Sequence, residues 1–206
     1  QARAHGNVGR VFARTRSLAA WVRAVRPHQW LKNALVFVPL ITAFRLADAA
    51  ALGTTALAFA AFCMVASAGY VVNDLLDLPA DRQHPRKRLR PFASGALSIP
   101  AGITGAFLLA AAGFGIAGSI SAAVLAWLAS YLVLTLVYSL QLKRIPIYDV
   151  FTLTGLYTMR IAAGGAAADV QLSFWLVAFS AFLFLALAII KRCAELVAQR
   201  ERDAQS

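Results

Sequence analysis

The string LGTTALAFAAFCMVASAGYVV (residues 52–72) runs without a break into NDLLDLPADRQHPRKRLRP (residues 73–91). The first carries no charge over 21 residues, the length that crosses a bilayer core of about 30 Å. The second holds three aspartates, a histidine and five basic residues. A charge-free span that ends in an acidic and then a basic cluster puts that cluster at a membrane face. Asn73, Asp77 and Asp81 are spaced i, i+4, i+8, and Asp74 lies three before Asp77. On a helix these four share one face. Pro79 interrupts a straight helix, so its end is expected to bend or unwind.

The rest of the chain fits a membrane reading. It has 206 residues, 60% of them hydrophobic and only 14% charged, against about 25% charged in typical soluble domains. Residues 91–142 carry no charge, which is room for two spans with a turn in GFGIAGSIS (113–121). Residues 170–190 form another uncharged run. Asn33–Leu46 is short and contains Pro39, and Ile145–Ala168 contains Asp149 and Arg160. The expectation is an all-α integral membrane protein, a helical bundle of about six transmembrane helices. Their approximate limits are 32–48, 52–74, 98–115, 120–141, 146–166 and 172–191. Within Arg10–Arg26, Val11, Leu18, Trp21, Val22 and Val25 recur near helical spacing, which suggests either a surface amphipathic helix or a linker. Cys63 and Cys193 form no motif and read as packing residues. The basic N-terminus has no signal-peptide pattern.

Eighteen of the 20 Lys and Arg residues fall in residues 1–32, 82–90, 143–144 and 191–206. Six spans place all of these segments on one side, which the positive-inside rule assigns to the cytoplasm. The predicted location is therefore the inner (plasma) membrane, multi-pass, with the acidic cluster on the cytoplasmic side. The net charge of +11 is ascribed to loops and anionic headgroups, with no nucleic-acid partner. Arg45 and Arg160 are the two exceptions to the asymmetry.

Clustered carboxylates repel unless a cation sits among them. Hard oxygen ligands suit Mg²⁺, which binds through one or two carboxylates plus substrate phosphates. Arg82, Arg86, Lys87, Arg88 and Arg90 follow directly and are suited to the outer phosphate oxygens. The pattern reads as a metal–diphosphate site, or else as a solvated loop of mixed charge. Asp149 and Arg160 are costly inside a span and are expected to face different parts of one polar cavity. Lys191 and Arg192 end the last span and read first as positive-inside anchors.

NDLLDLPAD resembles the NDxxDxxxD motif of the UbiA-type intramembrane prenyltransferase superfamily. The longer pattern NDxxDxxxDxxHPxKxxRPxxxG, from Asn73 to Gly95, is similar to the decaprenyl-phosphate phosphoribosyltransferase-like branch. That branch includes membrane halves of phosphatase-domain fusions. Three further stretches resemble it: RPHQWLKNALVFVPL (26–40), YSLQLKRIPIYDV (138–150) and FWLVAFSAFLFLALAIIKRCAEL (174–196). The resemblance implies a UbiA-like transmembrane transferase domain over residues 26–196, after a basic segment or linker (1–25) and before a polar tail (197–206).

It further implies that Asp74, Asp77 and Asp81 are catalytic and bind Mg²⁺. Asn73, Lys87, Arg90, Tyr138, Lys143, Asp149, Arg160 and Lys191 would bind substrate, and Arg26, Lys32 and Asn33 would lie at the cavity mouth. Asp149 is followed by Leu153 where aromatic prenyltransferases carry a second aspartate, which favours the phosphoribosyl branch. The implied partners are a polyprenyl phosphate or diphosphate lipid and either phosphoribosyl diphosphate or an aromatic acceptor. The implied reaction is phosphoribosyl transfer from phosphoribosyl diphosphate to a polyprenyl phosphate. The alternatives are prenyl transfer from a polyprenyl diphosphate to a small acceptor, or a non-catalytic lipid-binding protein. The superfamily has nine helices, so about six implies a C-terminally incomplete chain, and a start at Gln1 suggests missing upstream sequence.

Overall fold

A computed structural model describes residues 18–142 and 146–203. The chain forms α1 (Leu18–Val25), a 3₁₀ segment (Pro27–Phe37), α2 (Val38–Thr42), α3 (Ala49–Leu76), α4 (Leu78–Gln83), a short 3₁₀ turn (Lys87–Leu89), α5 (Ile99–Ile120), α6 (Ala122–Leu140), α7 (Pro146–Ala168) and α8 (Phe174–Asp203). Among the described residues α3, α5, α6 and α8 are long and apolar enough to cross a membrane. The protein is an all-helical, multi-pass membrane protein.

Two expected spans differ from regular apolar helices. The first, 32–48, is a 3₁₀ segment followed by the five-residue α2. Pro27 and Pro39 supply no N–H, and each opens its element where none is needed. The fifth is a continuous helix, α7, whose Asp149 and Arg160 interrupt its apolar surface. The expected turn at 113–121 is confined to its last residue. Ser121 is extended, and its hydroxyl accepts the Val124 N–H at 3.2 Å, capping α6. Residues 10–17 of the predicted amphipathic segment lie outside the described residues. Its remainder is α1, which buries Ala20 and Ala24 and leaves Leu18 and Val22 exposed.

α3 is the central helix. Asp48 caps it by accepting the Ala50 and Ala51 N–H groups, each at 3.1 Å. Its 28 residues span about 42 Å at 1.5 Å each, more than the hydrocarbon core. Its buried stripe is mostly small, including Ala58, Ala61, Ala66, Ala68 and Gly69. Small residues let backbones approach where no hydrophobic effect drives helices together. Gly113 of α5 meets Val65 and the Ala61 carbonyl there, and Phe62 packs on Tyr131 of α6 with ring centroids 5.3 Å apart. At Gly164 of α7 any Cβ would overlap the Val36 carbonyl of the 3₁₀ segment. That contact clamps the irregular first span against α7.

Both exceptions to the charge asymmetry are used by the fold. Arg45 donates to the Ala168 and Asp169 carbonyls (2.8 and 3.1 Å) at the C-terminal end of α7, where the helix dipole favours a cation. Arg160 is buried in the interior, 4% exposed.

Candidate functional site

A cavity of about 840 Å³ opens among α3, α4, the Lys87–Arg90 loop, the 3₁₀ segment and α6–α8. One wall carries the acidic motif. α3 stops at Leu76, and Asp77 joins it to α4 with φ −85° and ψ 3°. Pro79 lies in the first turn of α4, where its missing N–H is harmless. The Asp77 N–H reaches the Asn73 carbonyl and the Asp81 N–H reaches the Asp77 carbonyl, both at 2.9 Å. The helical path thus survives the break, and Asn73, Asp77 and Asp81 line the cavity together. The Asn73 amide donates to Asp77 Oδ2 at 3.2 Å.

Asp74 has a different place. It is 2% exposed and does not line the cavity. Its Oδ1 accepts Arg26 Nη2 at 2.5 Å and Arg90 Nη1 at 3.2 Å. Arg90 Nη1 also donates to Asp81 Oδ2 at 2.7 Å. Two buried carboxylates are therefore held by two guanidinium groups, without which their burial would be strongly unfavourable. Arg26 adopts a left-handed backbone (φ 53°), a conformation that costs a non-glycine residue roughly 1 kcal/mol. Pro27 excludes the helical alternative, while the Asp74 pair and the Tyr70 ring, 5.3 Å from the guanidinium carbon, fix the side chain.

The basic loop is shaped by its own short contacts. His84 Nδ1 accepts the Arg86 and Lys87 N–H groups at 3.2 and 3.3 Å. Gly95 takes a positive φ of 77°, and buried Phe92 packs against Gly102 of α5. Lys87 and Arg90 thereby line the cavity. Arg82, Arg86 and Arg88, also read as phosphate ligands from the sequence, are exposed and do not line it.

The opposite wall comes from α6, α7 and α8. The Tyr138 hydroxyl donates to Asp149 Oδ1 at 2.6 Å. Tyr138 and Leu153 line the cavity, whereas Asp149 is 7% exposed and does not. Asp149 and Arg160 share α7, but of the two only Arg160 lines the cavity. Arg160 Nε donates to Asn33 Oδ1 (2.8 Å), Nη1 to the Leu156 carbonyl (2.5 Å) and Nη2 to the Tyr131 hydroxyl (2.9 Å). Its guanidinium carbon lies 4.7 and 5.5 Å from the Tyr131 and Tyr157 ring centroids. Such stacking stabilises a partly desolvated cation. Lys191 lines the cavity and pairs with Glu195 at 3.5 Å. Lys143 lies outside the described residues.

Tyr70, Tyr131 and Tyr157 line the cavity without having been singled out in the sequence. A tyrosine inside an apolar span has no spacing signal that separates cavity lining from packing.

Among the described residues no three acidic, histidine or cysteine side chains converge on one point. On the α3–α4 wall the carboxylates of Asp77 and Asp81 and the amide of Asn73 face the cavity, all offering hard oxygen atoms. That set fits Mg²⁺, which takes few protein ligands and fills its octahedron with phosphate and water. Asp74, engaged by two arginines, lies outside the lining.

A model described as the UbiA prenyltransferase family matches residues 34–206. The nodulation protein NoeC of Azorhizobium caulinodans is 43% identical over 183 residues, covering 89% of this chain and 59% of that protein. A decaprenyl-phosphate phosphoribosyltransferase of Mycolicibacterium smegmatis is 38% identical over 181 residues, covering 85% of this chain and 56% of that protein. The chain thus spans less than two thirds of these relatives' length. A solved structure of a UbiA homolog from Archaeoglobus fulgidus bound to DMAPP and Mg²⁺ superposes with a TM-score of 0.72 at 19% identity. The match covers 82% of this chain and 61% of that one.

Proposed function

The chain belongs to the UbiA prenyltransferase family, and from that premise we propose that it forms a Mg²⁺-dependent phosphoribosyltransferase site. The donor is phosphoribosyl diphosphate, the acceptor a polyprenyl phosphate, and the site faces the cytoplasm at the inner membrane. One observation carries this reading. The cavity is lined by six cationic side chains (Arg26, Lys32, Lys87, Arg90, Arg160 and Lys191) against three carboxylates (Asp77, Asp81 and Glu195). A donor with a diphosphate and a ribose phosphate, meeting an acceptor with its own phosphate, brings enough negative charge to need that excess. The relatives named decaprenyl-phosphate phosphoribosyltransferase support the same substrates.

In this reading Asn73, Asp77 and Asp81 would hold Mg²⁺, which would supply charge neutralisation to the diphosphate leaving group. Lys87 and Arg90 hold the diphosphate oxygens and stabilise the charge that grows on them. Arg90 also ties Asp81 to Asp74, and Arg26 fixes Asp74, so Asp74 positions the arginines that position the donor. The anomeric C1–oxygen bond to diphosphate breaks, its electron pair leaving with pyrophosphate. A C1–oxygen bond to the acceptor phosphate forms. That phosphate oxygen is already ionised near neutral pH, so no protein base has to remove a proton. The engagement of Asp149 by Tyr138 agrees with this. Transfer of a prenyl group to an aromatic carbon would require loss of a ring proton, and Leu153 stands in the cavity wall where that branch has its second aspartate.

The test adds labelled phosphoribosyl diphosphate and decaprenyl phosphate to the protein in nanodiscs with Mg²⁺. Label should move into the lipid and fail to do so with Asp77→Asn. Transfer from a prenyl diphosphate to 4-hydroxybenzoate, with none to lipid phosphate, would establish the aromatic alternative. Binding of the lipid without transfer of either kind would leave the lipid-binding reading.

A further inference from the structure

The two ends of the cavity differ in how they can hold an anion. At the acidic end, carboxylates face the cavity and a phosphate needs a divalent cation between. At the other end Lys32, Arg160 and Lys191 line the wall. Lys32 comes from the 3₁₀ segment, Arg160 from α7 and Lys191 from α8, three elements that meet at this cavity. Arg160 is 4% exposed, and its hydrogen-bond partners among the described residues are neutral: an amide oxygen, a backbone carbonyl and a phenol. Five N–H groups on a guanidinium exceed those three contacts. A buried cation facing a cavity without a carboxylate partner is expensive unless an anion completes it. The acidic partner of Lys191 among the described residues is the exposed Glu195, at 3.5 Å. Asp149, the acid that shares α7 with Arg160, is committed to Tyr138.

We propose that Lys32, Arg160 and Lys191 form a second anion subsite that takes a lipid monophosphate directly, without a metal ion. This rests on the transferase reading and deepens it. The donor diphosphate sits with the aspartates and Mg²⁺, and the acceptor phosphate sits on the three cations across the cavity. Asn33 is a positioning residue here: its Oδ1 accepts Arg160 Nε at 2.8 Å while its amide donates to Cys63 Sγ at 3.3 Å. It aims the guanidinium from the 3₁₀ segment that also carries Lys32. Lipid specificity follows from the same placement, because the monophosphate headgroup is drawn to a wall formed by spans whose outer surfaces face hydrocarbon.

The experiment measures two affinities on the full chain in detergent. Farnesyl phosphate is titrated in EDTA, and inorganic pyrophosphate is titrated in Mg²⁺. Farnesyl phosphate should bind without metal, and Lys32→Gln and Lys191→Gln should each weaken it at least tenfold, with Lys32→Arg restoring most of the loss. The two Gln variants should shift Mg²⁺-pyrophosphate binding by less than threefold, whereas Asp77→Asn should do the reverse. Direct cation contacts also predict that farnesyl phosphate affinity falls as salt rises. Arg160→Gln is the stronger change but endangers folding, so the two lysines decide. Farnesyl phosphate binding that requires Mg²⁺, or that survives both lysine variants, overturns the subsite while leaving the transferase reading intact. Loss of Mg²⁺-pyrophosphate binding in the unaltered chain instead overturns the transferase reading, and the farnesyl phosphate arm then decides the subsite alone.

Discussion

The two walls of the cavity are built on opposite electrostatic plans. On the α3–α4 side, each buried acid has a cation: Asp74 has Arg26 and Arg90, and Asp81 has Arg90. On the α6–α8 side, the buried cation Arg160 has neutral partners among the described residues, and the buried acid Asp149 is held by a phenol. The first wall is internally compensated. It can release Asp77 and Asp81 oxygens to a metal ion while Arg26 and Arg90 keep Asp74 in place. The second wall is left positive. Charge that a fold leaves uncompensated in a cavity is a statement about what enters it.

The largest effect should come from Asp77→Ala. It removes a hard oxygen donor from the compensated wall and, in the proposed reaction, leaves the diphosphate without its metal ligand. Transfer should fall about 10³-fold, the order of several kcal/mol that a metal contributes to stabilising developing charge. Quantified label transfer at saturating Mg²⁺ checks this. Retention of a tenth of the activity would place the metal elsewhere and break the contrast between the walls.

Arg90→Met is next, and its readout is stability. Arg90 bridges two carboxylates that are each 2% exposed. Removing one member of a buried ion-paired group typically costs about 3 kcal/mol. Thermal unfolding in detergent should therefore drop by several degrees. Adding Asp81→Asn should recover part of that loss, since the stranded charge is what destabilises. The equivalent change on the other wall sharpens the comparison: Arg160→Met strands no carboxylate, so adding Asn33→Leu should give no such recovery.

Much of the first wall was legible in the sequence. Polar residues at i, i+4 and i+8 after a charge-free span announce themselves, because water-loving groups in hydrocarbon need a reason. The break at Asp77 followed from Pro79. The place of Asp74 outside the cavity lining did not follow from spacing, which put all four polar residues on one face. Its neighbour Asn73 faces the cavity, while the helix turns Asp74 toward Arg26, which lies 48 residues away in sequence. The second wall was less legible. Arg160 stood out as a charge in a span, but Tyr131 and Tyr157, which stack on it, read like any aromatic in a greasy helix. The first span misled for a related reason. Its composition is apolar enough, but a 3₁₀ path leaves no trace in composition. The close contact of Gly164 with the Val36 carbonyl depends on the three-dimensional meeting of two helices.

Leu153→Asp tests whether the second wall's lack of a facing acid is itself functional. Leu153 lines the cavity one turn beyond Asp149 on α7. A carboxylate there would pair with the cations of that wall and compete with an incoming phosphate. Farnesyl phosphate affinity should fall about tenfold, and Mg²⁺-pyrophosphate affinity should change little. A gain of Mg²⁺-dependent binding at that wall would mean that one substitution suffices to convert it to the acidic plan.

The smallest effect should come from Tyr138→Phe. The phenol donates to Asp149 Oδ1 at 2.6 Å, and an intramolecular hydrogen bond contributes about 1 kcal/mol net. Part of that is recovered if the acid finds water across the cavity wall. If Asp149 serves only to hold Tyr138 and the start of α7, the substitution lowers unfolding temperature slightly and slows transfer less than tenfold. Asp149→Asn should then behave the same way, because an amide oxygen still accepts from the phenol. The pair of variants discriminates what either alone does not. An acid used in the reaction would make Asp149→Asn at least a hundredfold worse than Tyr138→Phe. Equal small losses would mean that the second wall binds by its cations and that its one buried acid is scaffolding.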